Sequence, residues 1–585
     1  MKRSLKMKFL KKLLVLALSV TMCFSSFACT NRAGSGGDTT VINIMNNGGG
    51  CGRVWLDNAI ARFQEEIGDK SYAPGKKGVS FEIEHNIQTQ ASTMATSGFD
   101  VYFTTSDSFP YALAQRGLLY DVTEFINRDS YEDEDGNITV SILDKIDPNY
   151  HDVLKGADGQ FYAIPHEEWF PGLSYDAELF ELKNLYFAAP EETNVRVYEC
   201  DYGTGRFVAN AEAKKSSGND GVYDTYDDGL PSSLLELLIL CSRIKNQLSM
   251  VPFTVSGRNA PYTNYLLESL WASLSGYDQF RGTYTFDSEM EVVTGYTDEP
   301  LFPGVDYIKK PFTGKVRLTE ETGYLATDNV NRYYASAFME IMYREGWYSN
   351  DVNNNSSHTG AQSNFIFSGV NGKQTVAMLI EGNYWYNESV TCGNFDDYFA
   401  FFPNKTERDI RWMPLPTSLT ESATEGNGRE NILLDTGVSY TFINNRTQYK
   451  TDGCLDALLD FLTFIYSDEE MSQFTQCTGL GKAAMNYDIT EEDWEQMEPF
   501  KQSMWELRRN NKVIYGSASN ETFRSAVADF IPSQTFTTFL YNIGGKLYIC
   551  DLYAHRAGYG AQDCFEATRK DLTIWRGVYK GDQTI

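Results

Sequence analysis

Histidine is scarce, five residues in 585, and positive charge is short, with 50 lysines and arginines against 79 acids. A formal charge of -29 repels nucleic acid and anionic lipid, so neither is expected as a partner. Ten cysteines occur, but no two stand as CxxC; beyond Cys23 and Cys29 they are scattered at 51, 200, 241, 392, 454, 477, 550 and 564. Zinc-ribbon chemistry therefore has no support, and disulfide pairing cannot be read from the spacing. His166-Glu167-Glu168-Trp169 is followed by Phe170, so it is not HExxH, and there is neither a GxSxG elbow nor a GxxxxGK[ST] loop. Acids are abundant, yet no spacing singles out the pair that glycoside hydrolysis needs. No cofactor for chemistry is implied, and an enzyme is not expected. No Pro-rich linker, low-complexity tract or internal repeat divides the chain.

The leader is more telling. Lys2, Arg3, Lys6, Lys8, Lys11 and Lys12 precede the apolar run Leu13 to Met22, which is short of the roughly 20 residues that span a bilayer. With Ser25, Ser26 and Ala28 before Cys29, residues 1–28 read as an export signal, and Ser26-Phe27-Ala28-Cys29 resembles a bacterial lipobox. Cys29 is then the lipidation site, with plain secretion the alternative. Residues 29–40, Gly-, Ser- and Thr-rich, form a flexible tether. Removing the leader takes away six positive charges and leaves -35.

Past the tether, Val41 to Met45, Val79 to Ile83 and Phe99 to Phe103 read as strands, with a helix over Trp55 to Glu66 between the first two. Strands alternating with helices predict an α/β lobe with a mainly parallel sheet, whose ligands sit at the C-terminal strand ends. The stretch Asp158 to Phe180, DGQFYAIPHEEWFPGLSYDAELF, joins two structured pieces through Pro165 and Pro171-Gly172. A continuing central strand is excluded at Pro165, which has no N–H for the ladder. A chain crossing between lobes beside a cleft looks like this, and so does an ordinary strand-loop-helix connection.

Asp100 to Ile126, DVYFTTSDSFPYALAQRGLLYDVTEFI, resembles the first-lobe pattern of bacterial extracellular solute-binding proteins, the cleft-type receptors that deliver sugars to ABC importers. The 158–180 stretch resembles that family's hinge crossing, Leu230 to Glu236 its second-lobe opening, Lys373 to Trp385 its strand before a stacking aromatic, Trp412 to Pro416 its return strand, and Ala457 to Glu470 its late helix. The resemblance implies a two-lobed, periplasmic-binding-protein-like α/β fold with a hinge and a ligand cleft between lobes. Lobe 1 would hold 41–165 and 432–478, and lobe 2 would hold 166–431 and 479–585, with insertions and C-terminal helices. It further implies a monomeric lipoprotein, anchored at the cell membrane and facing outward. Such a protein binds a carbohydrate and hands it to ABC permease subunits; a ligand-presenting lipoprotein for a membrane sensor, or a secreted glycan-acting enzyme, is the alternative.

Sugar faces are flat and rimmed with hydroxyls, so aromatic platforms beside carboxylates and amides suit them. On that reasoning the ligand candidates are Asn46, Asn47, Asp107, Glu167, Trp169, Trp271, Asn383, Tyr384 and Trp385. Trp385, in a loop after an apolar strand, is the first choice. Asp107 is equally suited to cap a helix, and Trp271 sits in YLLESLWASLSG, which also reads as a buried helix face. Of Glu167 and Glu168, one is expected to face solvent. Finally, Asp220, Asp224, Asp227 and Asp228, among glycines in NDGVYDTYDDG, suggest a structural calcium site or a solvated Asp-Gly turn.

Overall fold

The computed structural model describes residues 38–86, 91–105, 110–128, 140–257, 260–350, 352, 357–437, 439–516 and 559–569. Cys29, the leader, most of the tether and Asp107 lie outside the described residues. Among the described residues, no helix is long and apolar enough to cross a membrane.

Two sheets organise the chain. In the first, β1 (Thr40–Asn47) lies between β2 (Val79–Asn86) and β3 (Val101–Thr105), both parallel to it. Late in the chain β14 (Ser439–Ile443) returns antiparallel to β3, and the two-residue β4 (Ile164–Pro165) closes that edge. The expected parallel sheet is present, and Pro165 stands at an edge, where a missing N–H costs no ladder bond. The Val54–Ile67 helix covers this sheet with Trp55, Leu56, Ala59, Ile60 and Phe63, at helical spacing. The Cys454–Ile465 and Asp468–Thr478 helices join the same core. They are two helices rather than one, because the Ser467 side chain caps the second by accepting from Glu470 N.

The second sheet runs β12 (Ile410–Met413), β5 (Pro171–Asp176), β11 (Val376–Gly382), β8 (Val251–Thr254). Only β11 and β8 are parallel. Every residue of β11 is buried, which explains its unbroken apolar run: Met378 and Ile380 face one core and Leu379 another. The Ala260–Thr285 helix, broken at Gly276 (φ 72°), and the Val330–Arg344 helix fill the larger core. A capping box opens the Leu234–Ser242 helix: Ser233 Oγ accepts from Glu236 N, and the Glu236 carboxylate accepts from Ser233 N.

The chain passes between the sheets at residues 165–171 and again between β13 (Ile432–Asp435) and β14. β13 itself pairs in parallel with β15 (Lys512–Tyr515). Leu480, Ala484, Met485, Tyr487, Met497 and Trp505 pack into the first core, so the run beyond 478, expected in lobe 2, contributes to lobe 1 as well.

The acidic loop is shaped by its own carboxylates. Among the described residues, Asp220, Asp224, Asp227 and Asp228 do not bring three donors together. Several of their oxygens accept from the loop itself, while Asp228 Oδ1 is buried with no hydrogen-bond partner. Asp227 Oδ2 accepts from Asn219 N and Asp220 N, and Asp227 Oδ1 accepts from Thr225 Oγ1. Asp220 takes Val222 N, and Asp228 takes Asp224 N. Short side chains that accept from nearby backbone N–H groups close a turn without a cation. Burial, then the Asp220 charge, push Asp227 up to about 6. Added calcium should therefore leave the melting temperature unchanged, whereas Asp227→Ala should cost about 1–3 kcal/mol in urea unfolding by orphaning buried donors.

Candidate ligand-binding site

The two sheets meet where β1 and β4 end on one side and β5 and β11 on the other. After β1 the chain turns through Gly48 to Gly52. Asn46 Nδ2 donates to Gly52 O (2.8 Å) and Asn47 Oδ1 accepts from Gly49 N (3.2 Å), so both amides shape the loop. Gly50 has φ +61°, and a Cβ there would meet Glu167 Oε2 at 3.0 Å and Trp169 Nε1 at 3.2 Å. Only glycine fits both the backbone and the space.

The crossing segment is held from both sides. Cys51 N donates to Glu167 Oε2 (2.9 Å), and Asn387 Nδ2, from the second lobe, donates to Gly50 O (2.8 Å). Asn383 and Phe170 exchange two hydrogen bonds: Phe170 N donates to Asn383 Oδ1 (2.9 Å), and Asn383 N donates to Phe170 O (2.8 Å). Trp169 N donates to Asp435 Oδ1 (3.0 Å), while its indole N–H lies beside the Glu167 carboxylate and favours its charged form. Neither Glu167 nor Glu168 faces solvent; they are 0% and 1% exposed. The bend at Pro165 ends strand alternation, so both carboxylates turn inward. Glu168 is paired with Arg508, whose Nε lies 2.6 Å from Oε1 and 2.8 Å from Oε2. Desolvation still raises Glu168, against the pull of Arg508.

Next to this lies an aromatic row. Trp169 and Tyr384 have ring centroids 5.0 Å apart, the Tyr384 hydroxyl is 2.7 Å from that of Tyr265, and Tyr265 is 5.1 Å from Tyr262. Tyr384 belongs to the chain of the second lobe yet packs into the first core. It bridges the seam. Glu268, one turn beyond Tyr265, and Glu381, at the end of β11, are buried, and Glu268 Oε1 and Glu381 Oε2 have no hydrogen-bond partner. Both charges, with Glu388, bear on the Tyr265 hydroxyl. Burial pushes Glu268 up to about 8, and burial followed by the Glu388 charge drives Glu381 well above the ordinary range. Oxygen acceptors without partners beside flat aromatic faces are what a polyhydroxylated guest requires.

The structure thus brings Asn46, Asn47, Glu167, Trp169, Asn383 and Tyr384 to one seam. It removes two candidates. Trp385 begins a helix, is 0% exposed, and donates from Nε1 to Ser174 Oγ (2.8 Å) among Phe365, Tyr386, Phe395 and Phe500. A strand followed by Gly-Asn suggested a loop; Gly382 and Asn383 instead make a turn of two residues, and the indole fills the core beneath. Trp271 is also 0% exposed, with Nε1 on Asn329 Oδ1 (3.0 Å) and Phe280 edge-on at 5.0 Å. Its buried helix face was one of the two readings open. Missed were Tyr262, Tyr265, Glu268, Glu381 and Asn387. The signal for two of them was present: a glutamate inside YLLESLW and another ending VAMLIEG are charges in otherwise apolar, buried elements.

No family model matches the chain, and no curated protein matches it in sequence. Among solved structures, a chitin oligosaccharide binding protein superposes with a TM-score of 0.52 at 12% identity, covering 93% of this chain and 100% of that one. The SBP RafE in complex with raffinose gives 0.48 at 13% identity, over 92% and 100%. The chain has the two-lobed α/β fold of the first, as its two sheets and their crossings require.

Two outcomes follow from the seam. Glu268 holds its proton up to about pH 8 in the fold and loses it near 4.5 when unfolded, so the native state binds more protons between these values and stability falls as pH rises through them. Melting curves from pH 4 to 9 should show Glu268→Gln gaining on the parent across that window and levelling off above about pH 8. Trp385→Ala should cost about 3–5 kcal/mol of stability, the price of a large core cavity.

Proposed function

We propose that this chain is an extracellular solute-binding lipoprotein that takes up a carbohydrate, an oligosaccharide, between its lobes and delivers it to the permease of an ABC importer. The observation that carries this reading is the seam itself. A row of aromatic faces, Trp169, Tyr384 and Tyr265, crosses the seam beside two buried carboxyl oxygens, Glu268 Oε1 and Glu381 Oε2, that no protein group satisfies. A sugar ring can stack on such faces and donate its hydroxyls to those oxygens. The seam is shut, with Asn383 and Glu381 at 1% and 0% exposure, so entry requires the lobes to part about their crossings.

The export signal, Cys29 and the tether support attachment to the outer face of the cell membrane by lipid, and the strong negative charge supports a neutral rather than polyanionic guest. The structural neighbour named for chitin oligosaccharide binding is in keeping with this class of ligand. Reversible binding, not turnover, is the activity this arrangement serves.

A thermal-shift screen of the full chain against mono- and oligosaccharides should yield at least one stabilising sugar that is recovered unaltered. A sugar that is hydrolysed, or a panel with no stabiliser, would sink the proposal. With the sugar in hand, Trp169→Ala should weaken binding by about 2 kcal/mol, read by calorimetry. Trp385→Phe should leave affinity near the parent's, since that indole faces the core.

A further inference from the structure

We propose that Cys51, His166 and Glu167 form a binding site for a divalent transition-metal ion, zinc being the fitting example. This site shares Glu167 with the seam but uses none of the aromatic row and neither Glu268 nor Glu381. The three donors, Sγ, an imidazole nitrogen and a carboxylate oxygen, all lie within 4.8 Å of one another. Cys51 Sγ is 3.8 Å from His166 Nε2, a separation that lets both reach one tetrahedral ion with bonds of about 2.3 and 2.0–2.1 Å.

Each donor is prearranged. Cys51 is placed by its own N–H, which Glu167 Oε2 accepts at 2.9 Å, and this leaves Glu167 Oε1, fully buried, with no partner. His166 is walled by Trp55 and Phe103, each with ring centroids 5.2 Å away. Its Nδ1 lies 3.1 Å from Lys482 Nζ, so the opposite nitrogen, Nε2, is the one turned toward the sulfur. In the metal-bound form Nε2 keeps its lone pair for the ion, while Nδ1 faces the Lys482 amine. A thiolate and a carboxylate then neutralise a divalent charge inside a closed apolar shell. Sulfur and imidazole select zinc, cobalt or copper over calcium and magnesium. Because Cys51 follows β1 and the other two follow β4, the ion would tie the first-strand loop to the hinge crossing.

The test uses the full chain, reduced and stripped of metal. One equivalent of zinc should bind and raise the melting temperature. Cobalt(II) should give the thiolate-to-metal absorption of a sulfur-ligated site, and Cys51→Ser and His166→Gln should each abolish that band and weaken zinc binding at least about tenfold. Cys241→Ser, a buried thiol elsewhere, should keep the band. Should the ligand variants fail to fold by circular dichroism, zinc-edge X-ray absorption on the unaltered chain decides the matter: one sulfur with nitrogen and oxygen neighbours supports the site. A shell of oxygen and nitrogen alone, a cobalt band that survives Cys51→Ser, or no stoichiometric zinc would overturn it.

Discussion

Charge is buried where the chain crosses between its lobes, and the rest of the molecule is arranged around satisfying it. His166, Glu167 and Glu168 are consecutive and at most 1% exposed, and Lys482, from beyond the late helices, is 0% exposed beside them. An isolated ion in such a place costs several kcal/mol, so each group must be neutralised or paired. Glu168 has Arg508, which also donates to Met485 O at 2.7 Å and so ties the C-terminal run to the crossing. Glu167 has the Cys51 N–H and, driven by burial, a carboxyl pushed up to about 7. Lys482, brought down to about 7 by the same burial, rests over Phe474 at 3.9 Å and against His166. No single lobe holds all these partners.

That constraint explains why segments distant in sequence converge here. Gly50 must be glycine because Glu167 and Trp169 close over it, and Asn387 must reach across to its carbonyl. Asp435, between β13 and the return to the first sheet, receives the Trp169 N–H and completes the second crossing. Paired crossings of this kind allow rotation of one lobe on the other while the groups within each crossing stay satisfied. The aromatic row sits just outside, bridged by the hydroxyls of Tyr265 and Tyr384 at 2.7 Å.

The elements of the first lobe were legible from their periodicity. Strand positions at 41–45, 79–83 and 99–103 and the Trp55 helix appear within a few residues of their expected ends, because alternating and helical burial leave period-2 and period-3.6 patterns. The crossing at Pro165 was legible too, from the imino acid's missing donor. Tryptophan was not. Trp169, Trp271 and Trp385 look alike in sequence, since each stands in an apolar neighbourhood near a turn, yet one lines the seam and two fill cores. Whether an indole is covered depends on residues such as Phe500 and Asn329, over fifty positions away. The acidic loop's hydrogen bonds were out of reach for a related reason: its carboxylates accept from backbone donors that only the folded turn presents.

By itself, then, the sequence determined the α/β class, the net charge and the place where the chain changes sheets, all properties that depend on near neighbours. Tertiary structure alone decided which aromatics form the seam, that Glu268 Oε1 and Glu381 Oε2 are left without partners, and that Cys51 stands 3.8 Å from His166 across 115 positions of chain. Burial and partnership are properties of the whole packing, and local pattern cannot encode what arrives from hundreds of residues away.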